Sequence, residues 1–168
     1  MRKLLTVAGA VLACLVAVLV VALVVLRVVG LDPKERRAGL WLSGEVVTTP
    51  VTDWSFTDTQ QTVFVQTRAW YGLPHSVTTV CVARDGRLYL TSTYRRGMEF
   101  PRDRLWNTNV MRDPNVRLKI DGRLYDARLA LVTDPAEKDA VLEAKAKKYP
   151  RLPAVDTRQV YVFRVLPG

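Results

Sequence analysis

The chain has 168 residues, with 25 Lys and Arg against 16 Asp and Glu, one His and two Cys. That length suits one domain with a core of its own. One His and one Cys outside the apolar N-terminus make no zinc site, two cysteines make no disulfide framework, and the lack of a basic block interleaved with aromatics argues against nucleic acid.

The stretch from Leu4 to Leu26, LLTVAGAVLACLVAVLVVALVVL, carries no charge, Pro or Asn. As a helix it runs about 34 Å, enough to cross a bilayer with some tilt. A cleaved signal peptide has a shorter apolar core and a small-x-small cleavage site. This run is longer, no Ala-x-Ala follows it, and every face is apolar, so residues 1–29 are expected to be a retained single-pass anchor. Sidedness stays open. Counting Lys and Arg puts more charge after the span and favours a cytoplasmic domain, whereas the short basic start at Arg2 and Lys3 commonly gives the reverse. Beyond residue 27 there remain 22 Lys and Arg (25 less Arg2, Lys3 and Arg27) against 16 acids. These charges are scattered, as on a solvated surface, with attraction to anionic lipid or a phosphate ligand next in order.

Residues 30–44 read as a juxtamembrane linker, broken by Pro33, Gly39 and Gly44. The domain is expected over 45–168. EVVTT and DWSFT are short strand candidates. TVFVQTR (62–68) and HSVTTVCVA (75–83) are rich in β-branched residues and read as strands. Asp85-Gly86 predicts a two-residue hairpin turn, and RLYLTST (87–93) is its return. After Pro101 a helix is expected, with Asp103 as its cap, and Asp113-Pro114 stops it. NVRLKI then alternates Val116, Leu118 and Ile120 with Arg117 and Lys119, a strand with one dry face. Asp121-Gly122 makes a second hairpin with RLYDARLALVT (123–133). Asp134-Pro135 opens a second helix whose acidic start and Lys-rich end match the helix dipole, and QVYVFRVL (159–166) closes the chain. Sequential hairpins imply an antiparallel sheet, which as a barrel has no exposed edges.

His75 and Ser76 are neighbours on a strand and point to opposite faces, so they form no Ser-His pair. No Gly-x-Ser-x-Gly and no Walker loop is present. Two polar clusters remain. TRAWYGLPHS (67–76) is a loop between strands with Arg68 and Tyr71 before its break. LTSTYRRG (90–97) brings Thr91, Ser92 and Thr93 hydroxyls beside Arg95 and Arg96, a set that suits a phosphate through charge-assisted hydrogen bonds. A solvated hairpin end explains the same residues.

TRAWYGLPHSVTTVCVARDGRLYLTSTY, with LWNTNVMRDPNVRLKIDGRLYDARLALVTDPAEKDAVLEAKAKKYP after it, resembles the flavin-binding split β-barrel proteins. Within them it is similar to the pyridoxamine-phosphate-oxidase-like and deazaflavin-dependent oxidoreductase groups, from about Trp54 to Leu166. Trp106, Asn109, Asp113, Pro114 and Val116 carry the resemblance most specifically. It implies a split β-barrel and a homodimer with a flavin-type ring at the subunit interface. With the elements read above, the expected fold is mainly β with two helices, a six- to seven-stranded antiparallel split β-barrel, preceded by one transmembrane helix that is an addition to the family's usual pattern. The resemblance further implies that Thr91 and Ser92, with Arg95 in the same cluster, lie near the cofactor phosphate. Arg68, His75 and Ser76 match positions lining the cofactor tail, and Asn109 buttresses the cofactor loop. RAWYGLPHS stands where the deazaflavin branch has Gly-Arg-Lys-Ser-Gly, which leaves FMN and deazaflavin both open. The expected activity is that of a membrane-anchored flavin or deazaflavin oxidoreductase with the cofactor supplying the chemistry. The alternative is a tethered binding module without flavin chemistry, its cofactor lost or replaced by a ligand such as haem.

Overall fold

The computed structural model describes residues 2–35, 37–153 and 156–168. The chain begins with α1 (Arg2–Val29). Gly9–Val29 within it is long and apolar enough to cross a membrane, a property signal sequences share. Seven strands follow: β1 (Glu45–Val46), β2 (Val63–Arg68), β3 (Pro74–Arg84), β4 (Arg87–Thr93), β5 (Asn115–Ile120), β6 (Arg123–Leu131) and β7 (Val160–Pro167). Helix α2 (Leu105–Arg112) joins β4 to β5, and α3 (Pro135–Lys148) joins β6 to β7.

The sheet order is β1-β6-β5-β2-β3-β4-β7, and β6 also pairs with β7. Strands β2 to β7 therefore close into a six-stranded antiparallel barrel, and β1 lies outside it, parallel to β6. Closure leaves the barrel without free edges along its paired strands. Both Asp-Gly turns form as expected, with positive φ at Asp85, Gly86, Asp121 and Gly122, the conformation a primed hairpin turn demands.

Alternation decides the core. Val116, Leu118 and Ile120 of β5 are buried beside Val63, Val65, Leu88, Leu90 and Phe163 inside the barrel. Each such side chain contributes about 1.5–3 kcal/mol on full burial. A second apolar cluster lies outside the barrel wall, where Val82, Tyr89 and Val162 meet Val141 of α3. Helix α3 is set by its ends. The Asp134 carboxylate accepts from the amides of Ala136 and Glu137 at 3.3 and 3.2 Å. Glu137 accepts from Tyr89 at 2.8 Å and from Arg164 at 3.1 Å. At the far end Tyr149 donates to the carbonyls of Gln61 and Cys81.

Three local expectations are corrected. DWSFT is not a strand: Ser55–Thr59 is a 3-10 turn. Asp53 accepts from the Ser55 amide and hydroxyl at 2.9 and 2.7 Å, and this local bonding curls the chain. EVVTT shortens to Glu45–Val46, with Val47 adding one bond to the Leu124 carbonyl. Asp103 does not cap α2. Its carboxylate accepts from the Glu99 amide at 2.7 Å and closes the preceding turn, and Arg104 takes the cap position.

Residues 31–43 do not hang free as a linker would. Leu31 and Trp41 are joined backbone to backbone at 2.7 Å. Gly39 exchanges two bonds with Ser76 at 2.9 and 3.0 Å, Leu42 donates to Gln66 at 2.7 Å, and Asp32 pairs with Lys119 on β5.

Candidate functional site at the α2 end of the barrel

Helix α2 crosses the barrel end where β2 and β4 finish and β3 begins. Its apolar residues Trp106 and Val110 plug that end, with the Trp106 ring 5.4 Å from Phe163. Its two asparagines are two positions apart, about 200° around the helix, and so reach different strands. Asn107 accepts at Oδ1 from Ser92 and from Tyr94, both at 2.7 Å. Asn109 donates from Nδ2 to Thr67 at 3.0 Å, and Thr67 donates to the His75 carbonyl at 3.1 Å. Arg104 lies over the Tyr94 ring at 5.4 Å and donates to the Thr93 carbonyl. Burial pushes the Tyr94 phenol up to about 12, partly opposed by the Arg104 charge. Burial pushes the His75 imidazole below its ordinary value, favouring the neutral ring.

Of the seven residues singled out in the sequence, five lie toward this end of their strands, Arg95 in the turn after β4 and Asn109 on α2, but they do not converge on one point. Arg68 is exposed at the end of β2, and its carbonyl accepts from Arg112. His75 is half-buried across from Thr67 in the β2–β3 register. Ser76 is buried beneath Gly39, where an added Cβ would come within 2.6 Å of its Oγ. Thr91 and Ser92 are both buried, and as consecutive strand residues they point to opposite faces. Ser92 faces α2 and is bonded to Asn107, and the carbonyl of Thr91 accepts from Thr79 at 2.9 Å. The two hydroxyls therefore cannot grip one phosphate together. Arg95 is exposed in the following turn, its amide donating to the Met98 sulfur at 3.4 Å. Asn109 is bound to a side chain, Thr67, instead of a loop backbone. Asn107, Tyr94 and Arg104 were not singled out, although the Trp-Asn-x-Asn spacing on a helix already required a second polar partner.

Several buried polar atoms here lack a partner among the described residues: Nδ1 of His75, Oγ of Ser76, Oγ1 of Thr91, Nδ2 of Asn107 and Oδ1 of Asn109. None of these five residues lines the polar cleft of about 530 Å³ that lies on the outer face of β2 and β5. Arg27, Trp41, Thr67, Arg68, Gly72 and Arg117 are among its walls. Arg117 is held by a two-pronged pair with Asp126 at 2.7 and 2.8 Å. The Arg68 guanidinium makes no ion pair among the described residues. A second cavity, about 540 Å³, sits by the end of α3 and is walled mainly by apolar groups such as Leu142, Tyr149 and Leu152. Among the described residues no three His, Cys, Asp or Glu gather as a metal site.

No family model and no curated protein matches the chain. Solved structures do. A conserved hypothetical protein of Mycobacterium tuberculosis is 16% identical over 75% of this chain and 84% of its own, with a TM-score of 0.53. A candidate 5-nitroimidazole antibiotic resistance protein of Bacteroides thetaiotaomicron is 15% identical over 79% of this chain and 84% of its own, with a TM-score of 0.51. The fold is a split β-barrel. A candidate pyridoxamine 5'-phosphate oxidase of Listeria innocua is 19% identical over 68% of this chain and 89% of its own, with a TM-score of 0.49. At these identities the likeness to the split barrels is one of fold, and what the site binds has to be argued from its residues.

Proposed function

We propose that this protein is a membrane-anchored split barrel that binds a flavin-type cofactor, FMN or a deazaflavin, and works as an oxidoreductase. The observation that carries the reading is the polar cleft of about 530 Å³ with Arg68 on its wall, a residue that has no ion pair among the described residues. Its size is that of a cofactor site, and Arg68 offers the planar, forked donor a phosphate or carboxylate tail requires. When bound, a flavin or deazaflavin supplies hydride chemistry. The chain's own share is to bind and orient. Arg68 holds the anionic tail. Gln66 of β2 and Arg117 of β5 present further polar groups on the same wall. Asn109 fixes Thr67 by donating to it, so that β2 keeps its place at the cleft. A second copy of the chain completes the site, as the resemblance implies for a ring lying between subunits.

The second reading is a tethered binding module without flavin chemistry, with haem among its possible ligands. It is favoured by the opposed faces of Thr91 and Ser92 and by the cover that Gly39 places over Ser76. The full chain purified in detergent separates the two. A flavin or deazaflavin absorption band that stays with the protein through gel filtration supports the first. A colourless protein, or one with a Soret band, supports the second.

A further inference from the structure

We propose that the β2–β3 hairpin tip, residues 69–73, is a second membrane contact that seats the barrel flat on the bilayer surface. This goes beyond the reading above and rests only on its first element, that α1 crosses a membrane. The helix ends at Gly30, whose amide donates to the Leu26 carbonyl at 2.9 Å. Only Gly30 and Leu31 separate the helix from Asp32, at no more than about 3.6 Å each. Asp32 is already tied to the barrel. Its carboxylate accepts from the Ser43 amide at 3.1 Å and pairs with Lys119. Gly39 is bonded to Ser76 and Leu42 to Gln66. A barrel tethered this closely cannot drift from the bilayer.

Its orientation follows from what lies beside the helix end. Arg27, in the last turn of α1, shares a cleft with Arg68, Gly72 and Pro74 of the hairpin and with Trp41. Leu23 and Leu26 share the Arg27 face of the helix and are half-buried, while the other described positions from Gly9 to Val29 are exposed. The base of the hairpin thus lies beside the last turn of the span, at Arg27. Its turn is tight, closed by Ala69 to Leu73 and by Gly72 to Ala69, both at 2.9 Å. At its apex Trp70 is 80% and Tyr71 53% exposed. The two rings touch edge to face at 5.4 Å, forming an apolar knob with no cover from the barrel.

A Trp-Tyr knob on a hairpin that shares a cleft with the last turn of a span has the composition of a membrane interface belt. The exposed cations Arg68 and Arg112 sit at the base of the hairpin, Arg27 shares its cleft, and all three suit anionic headgroups. Asp113 and Asp126, the carboxylates of the same cleft, are engaged by Asn115 and Arg117.

The test uses the full chain reconstituted in phosphatidylcholine–phosphatidylserine vesicles, with and without bromine on the acyl chains. Bromine quenches only indoles at membrane depth. The emission lost on Trp70→Phe, an exposed and conservative change, is measured in both vesicle types. We expect that lost component to be at least roughly twofold smaller in the brominated vesicles, because Trp70 is already quenched there. An equal loss in both types, in protein that resists carbonate extraction, overturns the hairpin contact and leaves the anchor standing. Release of the chain by carbonate overturns the anchor and the contact with it.

Discussion

Asn107 is fully buried and its Oδ1 serves two hydroxyls, Ser92 and Tyr94. Replacing it by Ala strands the Ser92 hydroxyl and leaves Tyr94 only its longer bond to the Pro101 carbonyl at 3.3 Å, and an orphaned buried donor costs about 1–3 kcal/mol. Asn107→Ala should therefore lower stability by about 1–3 kcal/mol, read from urea unfolding of the full chain in detergent followed by Trp fluorescence. Tyr94 makes a pH prediction. Its phenol titrates near 10 when unfolded and is pushed up to about 12 in the fold by burial. A raised folded value stabilises the neutral form, so its contribution is complete below pH 10 and is lost as pH rises toward 12. The melting temperature of the wild type should fall more steeply across that window than that of Tyr94→Phe, whose ring cannot ionise. Equal slopes would show that Tyr94 ionises alike in both states.

At the scale of elements, Gly39 decides whether residues 31–43 belong to the barrel. A Cβ there would meet the Leu31 carbonyl at 2.1 Å and Ser76 Oγ at 2.6 Å; the hydroxyl can rotate, but the Leu31 carbonyl is backbone and already accepts from the Leu40 amide at 2.8 Å, so the segment itself has to move. In Gly39→Ala the Ser76 amide should lose most of its protection from hydrogen exchange, while Leu118 in the barrel wall keeps its own. Retained protection at Ser76 would mean that the segment repacks without cost. The strands and both later helices were legible because each declares itself locally: Asp-Gly at two hairpins, strict alternation in NVRLKI, and Asp-Pro before α3. The docked segment was not legible. Its Gly and Pro residues read as linker punctuation, and the ion pair that pins it joins Asp32 to Lys119, far apart in sequence. The same limit governs the site. Arg68 and His75 were found from the loop that joins their strands, whereas Thr91 and Ser92 share a motif in sequence but not a face in space. Asn109 was found as a polar residue needing a partner, but only the packing of α2 on β2 names Thr67 as that partner.

The whole molecule is one apolar helix held through a short docked segment to a closed barrel, with a cationic cleft where the two meet. That placement puts Arg68 within reach of both a cofactor tail and the membrane face, so its two proposed roles must be told apart by ligand. Titration of the full chain in neutral detergent with FMN, followed by flavin fluorescence, does so directly, and a parallel titration with a deazaflavin covers the other cofactor. We expect saturable quenching by one of them at micromolar protein, weakened about tenfold or more in Arg68→Gln through loss of a charge-assisted hydrogen bond. No quenching by either cofactor, or binding indifferent to Arg68, would contradict the assignment of the cleft as a flavin site.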